Sequence, residues 1–192
     1  MPDIDIDFPD RSSALKNFQH VAAAIVEDHT VKKHNTGIYV TSIPHNPFTG
    51  ISTIDYKEAE DRGYFKIDFL NVSVYEGVRN QEHLKQLMET EPLWELLLDD
   101  QFTSLLFHLN GHGAILRKTC PTSVEQLAAV LAMIRPGKRH LIGKTWTEIM
   151  QEIWIPPETG EYHFKKSHAI AYAHVVIVQM NLICESISYE YS

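Results

Sequence analysis

Asp3-Ile4-Asp5-Ile6-Asp7-Phe8, flanked by Pro2 and Pro9, alternates carboxylates with apolar side chains without a break. Successive side chains of a strand point to opposite faces. The stretch therefore reads as a half-buried strand, with Ile4, Ile6 and Phe8 toward a core and Asp3, Asp5 and Asp7 in one row on the other face. Neighbours in such a row stand roughly 6.6 Å apart, two rises of about 3.3 Å. Carboxylates so placed repel one another, and one or two divalent cations would turn the repulsion into binding. Hard oxygen donors of this kind suit Mg²⁺ or Mn²⁺. A solvated acidic edge strand, whose charges discourage aggregation, has the same pattern. The rest of the chain has to separate the two.

A second stretch, Tyr64–Leu70, also alternates: Phe65, Ile67 and Phe69 point one way, Lys66 and Asp68 the other. If this strand lies beside the first, Asp68 joins the acidic row with Lys66 next to it. Carboxylates holding a pair of Mg²⁺ ions, with a lysine for phosphate charge, are the equipment of in-line nucleotidyl transfer. Taken without the first strand, Lys66 and Asp68 read as an ordinary charged pair on a sheet face.

The chain has 192 residues, 44% of them hydrophobic and 22% charged, enough for a buried core in a single domain and too apolar for disorder. Its net charge of −8 argues against a broad nucleic-acid-binding surface, although clustered basic residues and bound Mg²⁺ would offset part of it. Two cysteines, Cys120 and Cys184, are too few for a disulfide framework or a zinc centre and fit a reducing cytoplasm. The N-terminus has no basic-then-apolar leader. The greasiest run, 169–184, is interrupted by Tyr172, His174, Gln179 and Asn181 and is short for a bilayer, so it reads as a buried helix and no membrane partner is expected.

Ser12 or Ser13 is a candidate cap for a helix in which Leu15, Phe18, Val21, Ala22, Ile25 and Val26 recur at helical spacing. Strands are expected over Ile38–Ile43, entered through Lys32-Lys33-His34-Asn35-Thr36-Gly37, and over Ile51–Tyr56, with a turn-rich Pro44–Gly50 between them. Helices are expected over 72–90, 93–98, 124–134, 143–154 and 167–185. The stretch 99–109 fits either state. Pro136 forbids simple continuation past Arg135.

Three clusters carry positive charge. Lys32-Lys33-His34 precedes Gly37, whose missing side chain lets backbone approach a ligand, yet a two-lysine turn is also a solvated one. Arg135-Pro136-Gly137-Lys138-Arg139-His140 follows a helix end, where basic residues are favoured in any case. Lys165-Lys166-Ser167-His168 opens the last helix, where lysines oppose the dipole and so point to an anion. The eleven histidines show no zinc spacing; His108 and His112 straddle Asn110-Gly111 without an obvious third ligand. Trp146 and Trp154 read as core, and Cys120 as a buried thiol.

Taken in order, these motifs resemble the polymerase core of the bacterial DNA polymerase III alpha subunit, the family C replicative polymerases. Pro2-Asp3-Ile4-Asp5-Ile6-Asp7-Phe8 is similar to the family's proline–aspartate strand, and Lys33–Val40 to its His-x-x-Gly strand. Phe65-Lys66-Ile67-Asp68-Phe69-Leu70 resembles its Lys-x-Asp-Phe-Leu strand. Phe107-His108-Leu109 with Gly113 looks like its Phe-Gln-Leu segment, Ile134-Arg135-Pro136-Gly137 like its Arg-Pro-Gly turn, and Phe164–Ala173 like its Asn-Lys-Ser-His helix start.

The resemblance implies an α/β (α+β) fold with a polymerase-beta-type nucleotidyltransferase palm, a mixed sheet backed by helices, with truncated fingers. The expected layout is one minimal palm-like domain over 1–192, with a palm core to about residue 110 and a helical remainder from about 111. It implies that Asp5, Asp7 and Asp68 are the catalytic metal ligands, with Asp3 in a supporting place. Lys66, Arg135 and Lys166 would contact the nucleotide's phosphates, supported by His34, Gly37, Ser167 and His168. The cofactor would be Mg²⁺ or Mn²⁺, and the partners dNTP and a DNA primer–template. Lys165 stands where the family has Asn and His112 where an Arg is expected. The family's Gly-Ser element before the aspartate strand and most of its fingers have no counterpart, so a second subunit or replisome protein is expected to supply missing parts. The brevity suggests a phage-encoded relative. A non-catalytic or regulatory replication protein that keeps the palm, and a nucleotidyltransferase with another acceptor, stay open.

Overall fold

The alternating N-terminal stretch forms strand β1 (Ile4–Phe8) in the computed structural model, which describes residues 4–28, 30–156 and 164–190. The chain divides into two compact units, Met1–Glu76 and Gly77–Ser192. The α/β part thus closes at Glu76, short of the boundary near 110 expected from sequence.

The first unit is a six-stranded mixed sheet backed by helices. After β1 come α1 (Arg11–Leu15), β2 (Val21–Glu27), β3 (Thr30–Tyr39), β4 (His45–Asn46), β5 (Ile51–Asp55), α2 (Tyr56–Asp61) and β6 (Ile67–Asn71). The spatial order is β1-β6-β3-β2-β5-β4. β1 runs parallel to β6 and β2 parallel to β5, whereas β3 is antiparallel to both β2 and β6. Ile6, Ile67 and Phe69 pack with Ala14, Leu15 and Ile38 on one face. Ala23, Tyr39, Ile43, Ile54 and Ala59 form a second small core with Tyr56 and Tyr64.

The long helix expected from Ser12 or Ser13 is corrected. α1 is one turn, capped by Asp10, whose carboxylate accepts from Ser13 N–H, and it ends at Leu15. The residues assigned to its continuation form β2, a central strand in which Ala22, Ala23 and Ala24 are buried. A strand covered on both faces has no polar alternation, and a short apolar run does not by itself distinguish strand from helix.

The second unit is helical. It comprises α3 (Gln81–Glu89), α4 (Asp100–Leu105), α5 (Gly113–Thr119), α6 (Val124–Met133), α7 (Trp146–Glu152) and α8 (Lys166–Glu190). The helix expected over 93–98 is a tight 3₁₀ turn at Trp94–Leu98; further 3₁₀ turns lie at Ser73–Gly77, before α3, and at Pro136–Leu141, after α6. α6 is buried on every side from Leu127 to Met133, as its continuous apolar sequence requires, and Ser123 caps it. Ala169, Ala173, Val176, Ile177 and Met180 of α8 join it in the core. By length and composition Lys166–Ile187 is the one helix among the described residues long and apolar enough to cross a membrane. The Asn181 amide ties α8 to α3, donating to Leu87 O (2.8 Å) and Thr90 O (2.9 Å).

Candidate functional site

The parallel β1·β6 ladder sets Asp5 opposite Asp68 and Asp7 opposite Leu70. Partners in register project to the same face, so Asp5 and Asp68 share one face while Ile6 and Phe69 share the other. The sequence pattern anticipates this neighbourhood. Asp7 is exposed, yet its carboxyl is raised above the usual aspartate range, first by desolvation and then by the charge of Asp5. Because Asp7 keeps much of its surface in water, the desolvation is partial, and the like-charge part is what a cation would reverse. Tyr75 is raised as well, by burial and then by Asp7. Asp3 lies outside the described residues.

Asp68 is flanked on its other side by Gly37 of β3. Between Ala24↔Lys33 and Ala22↔Ile38 the β2·β3 register slips, leaving more residues on β3 than on β2. This bulge lies over His34–Gly37 and re-aims its side chains, a common device beside functional sites. Thr36 Oγ1 donates to Asp68 Oδ1 at 2.7 Å, and Lys66 Nζ pairs with Asp68 Oδ2. His34 Nδ1 accepts from Gly37 N–H (2.9 Å) and Thr36 N–H (3.2 Å), which makes it the unprotonated nitrogen. Burial first, then Lys66, holds the His34 imidazolium below its usual range, so the ring 4.0 Å from Asp68 is neutral rather than an ion-pair partner.

Gly37 has a concrete reason to be glycine. A Cβ there would lie 2.8 Å from Lys66 Cδ, 3.0 Å from Ala23 Cβ and 3.1 Å from His34 Nδ1. The vacancy is the channel through which Lys66 reaches Asp68. The Tyr56 ring stands edge-on to His34 and 6.0 Å from Lys66 Nζ. Arg11 braces the strands, donating Nε to Phe69 O (2.8 Å) and Nη2 to Thr36 O (3.2 Å). Sequence reasoning did not assign Thr36, Tyr56 or Arg11; the bulge, the start of α2 and the α1 turn that deliver them leave no periodic trace.

In the second unit Arg135 stacks its guanidinium over Phe164, 5.1 Å from the ring centroid, and its buried Nε has no hydrogen-bond partner. His168 meets the same ring at 6.2 Å. Tyr172 packs against Phe107, His108 and Phe164. Burial, then Arg135, pushes both His108 and His112 below the usual histidine range. Lys166 opens α8 with its Nζ 6.0 Å from the Trp154 ring, and Ser167 is exposed within the first turn rather than at the cap.

The rest of the basic run at 135–140 serves the fold. Buried Lys138 donates to Glu152 O (2.8 Å) at the end of α7, and Arg139 reaches Ile134 O at 3.4 Å. His140 pairs with Glu152, which also takes Lys144 at 3.1 Å. Lys32 pairs with Glu27 at 2.9 Å on the β2–β3 hairpin. Cys120 is exposed rather than buried, in a left-handed conformation (φ 44°) after α5, with its thiol donating to Arg117 O at 3.2 Å.

Among the described residues no group of three or more His, Cys, Asp or Glu stands ready to hold a metal ion. The Asp68 carboxylate is turned to Lys66 and Thr36. No family model matches the chain, and neither a curated protein nor a solved structure matches it.

Proposed function

We propose that this protein is a metal-dependent nucleotidyltransferase of the family C polymerase type, adding dNTPs to a DNA 3′ end through a minimal polymerase-beta-type palm. One observation carries the reading: the parallel register of β1 and β6 brings Asp5, Asp7 and Asp68 to neighbouring positions with Lys66 alongside. Asp5, Asp7 and Asp68 would hold Mg²⁺ or Mn²⁺. The chemistry of the donors fits, being hard oxygens with one carboxyl already raised by partial burial and then by its like-charged neighbour. Bound metal supplies charge neutralisation at the transferring phosphoryl group and activates the attacking hydroxyl. Lys66 offers a phosphate its ammonium once Asp68 turns to a cation. Neutral His34 fixes the bulge through its two backbone bonds. Arg135, Lys166, Ser167 and His168 belong to the second unit, and their part in nucleotide binding follows from the resemblance alone. The reading places the protein in the cytoplasm, that of the host for a phage-encoded chain, with a partner supplying duplex grip.

The ion pair that occupies Asp68 favours a second reading, a non-catalytic replication protein that keeps the palm and binds nucleotide or a replisome partner. Primer extension separates the two. With labelled primer–template, each dNTP and Mg²⁺ or Mn²⁺, wild-type protein extends the primer, whereas Asp5→Ala and Asp68→Ala do not. No extension by wild type in either metal, with nucleotide still bound, moves the assignment to the second reading.

A further inference from the structure

Phe69 points to the sheet face opposite Asp68, and Phe18 packs on it with ring centroids 5.6 Å apart. Beside Phe18 opens a cleft of about 570 Å³, lined among others by His20, Val40, Thr41, Ser42 and His45. That volume falls in the range of small-molecule sites. No Asp, Glu, Lys or Arg lines it among the described residues, so it offers no fixed charge to a phosphate or a metal. Phe18 is 37% exposed and Val40 50%, giving one flat aromatic wall and one aliphatic wall.

Its two histidines are set in the same way. His20 Nδ1 lies 3.2 Å from the carbonyl oxygen of Phe18, and His45 Nδ1 lies 2.9 Å from that of Ile43. A carbonyl only accepts, so each Nδ1 carries the hydrogen, and a ring that carries only that hydrogen presents Nε2 as an acceptor. A two-histidine pair without a third ligand does not make a zinc centre. Locked acceptors instead call for a ligand that donates, and the exposed ring calls for one that is flat.

We propose that this cleft is a nucleobase site. A neutral planar heterocycle stacks on Phe18 and donates its N–H groups to Nε2 of His20 and His45, with the hydroxyls of Thr41 and Ser42 available to ribose. The same chemistry is presented by a free nucleoside and by an unstacked base of a single strand. The site stands whether or not the acidic row transfers nucleotides.

Long-range ¹H–¹⁵N spectra of the full chain test it, since they read the tautomer directly. His20 and His45 are expected as Nδ1–H tautomers, with saturable movement of both Nε2 signals on titration with adenosine. N6,N6-dimethyladenosine, which stacks but has no base N–H, should bind at least about tenfold more weakly. Inorganic triphosphate should leave both signals unmoved. His45→Ala removes an exposed ring, leaves the His20 signal of the free protein in place, and should weaken adenosine by about tenfold. A short oligodeoxyadenylate competing for the same signals more tightly than adenosine identifies a displayed base, and the reverse order a free nucleoside; either supports the site. Nε2–H tautomers, no saturable shift with adenosine or oligonucleotide, equal affinity for the dimethyl analogue, or shifts driven by triphosphate alone would each overturn it.

Discussion

Asp7 is raised above the ordinary aspartate range, near 3.9, by burial and by Asp5. The folded state therefore binds a proton more readily than the unfolded chain just above that range. Stability falls as the pH climbs through this window, and the unfavourable contribution persists in full at neutral pH. Asp7→Asn should thus raise the denaturation midpoint at pH 7 while abolishing transfer. The gain is at most about 1 kcal/mol for so exposed a group, and it should close as the pH drops below the aspartate range. Equal stability of the two proteins across the pH series would show that Asp7 carries no repulsion. Lys66 makes a complementary prediction. It competes with any cation for Asp68, so Lys66→Met should bind Mn²⁺ severalfold more tightly, as read by calorimetry, and yet transfer nucleotides more slowly. Weaker Mn²⁺ binding in that variant would contradict competition for Asp68.

At the scale of the elements, the His34–Gly37 bulge in β3 is the piece that delivers Thr36 and His34 to Asp68 and opens the passage for Lys66. Gly37→Ala sets a methyl within 3.0 Å of Ala23 Cβ and closer still to Lys66 Cδ. Overpacking of this kind costs about 1–3 kcal/mol. Chemical denaturation should register the loss, and Gly37→Ala with Lys66→Ala should recover part of it. The pairing of β1 with β6 is legible in sequence, because Ile4–Phe8 and Ile67–Asn71 alternate with period two and put carboxylates on one face. α6 is legible for a different reason, a continuous apolar run between Ser123 and Pro136. β2 is not, because a central strand covered on both faces reads Val-Ala-Ala-Ala-Ile-Val, a pattern that a buried helix shares. α2 and α5 are too short for a period to register. The bulge leaves no trace but its glycine, which is why Thr36 escapes a sequence reading, and Tyr56 escapes it because it opens the short α2, while Asp5, Asp68 and Lys66 do not.

For the whole molecule, the distribution of charge narrows what the chain is suited to do. Its net charge is −8, and several cations of its densest basic run bind the protein's own carbonyls and carboxylates. Lys138 and Arg139 close helix ends in the second unit, where Arg135 is instead left with a buried, unpartnered Nε over Phe164. A surface with this charge gives little unaided grip on duplex, and the proposed function accordingly includes a partner that carries the DNA. The proposal nevertheless depends on the acidic face of β1 and β6 accepting a cation. Paramagnetic relaxation by Mn²⁺, followed on the backbone amides of the ¹⁵N-labelled full chain, measures this most directly. Signals of Asp5, Asp7, Gly37 and Asp68 should broaden at the lowest Mn²⁺ additions and recover with excess Mg²⁺, and the effect should vanish in Asp5→Asn and Asp68→Asn. Broadening that spares these residues, or survives both substitutions, would contradict the metal site and the nucleotidyl transfer built on it.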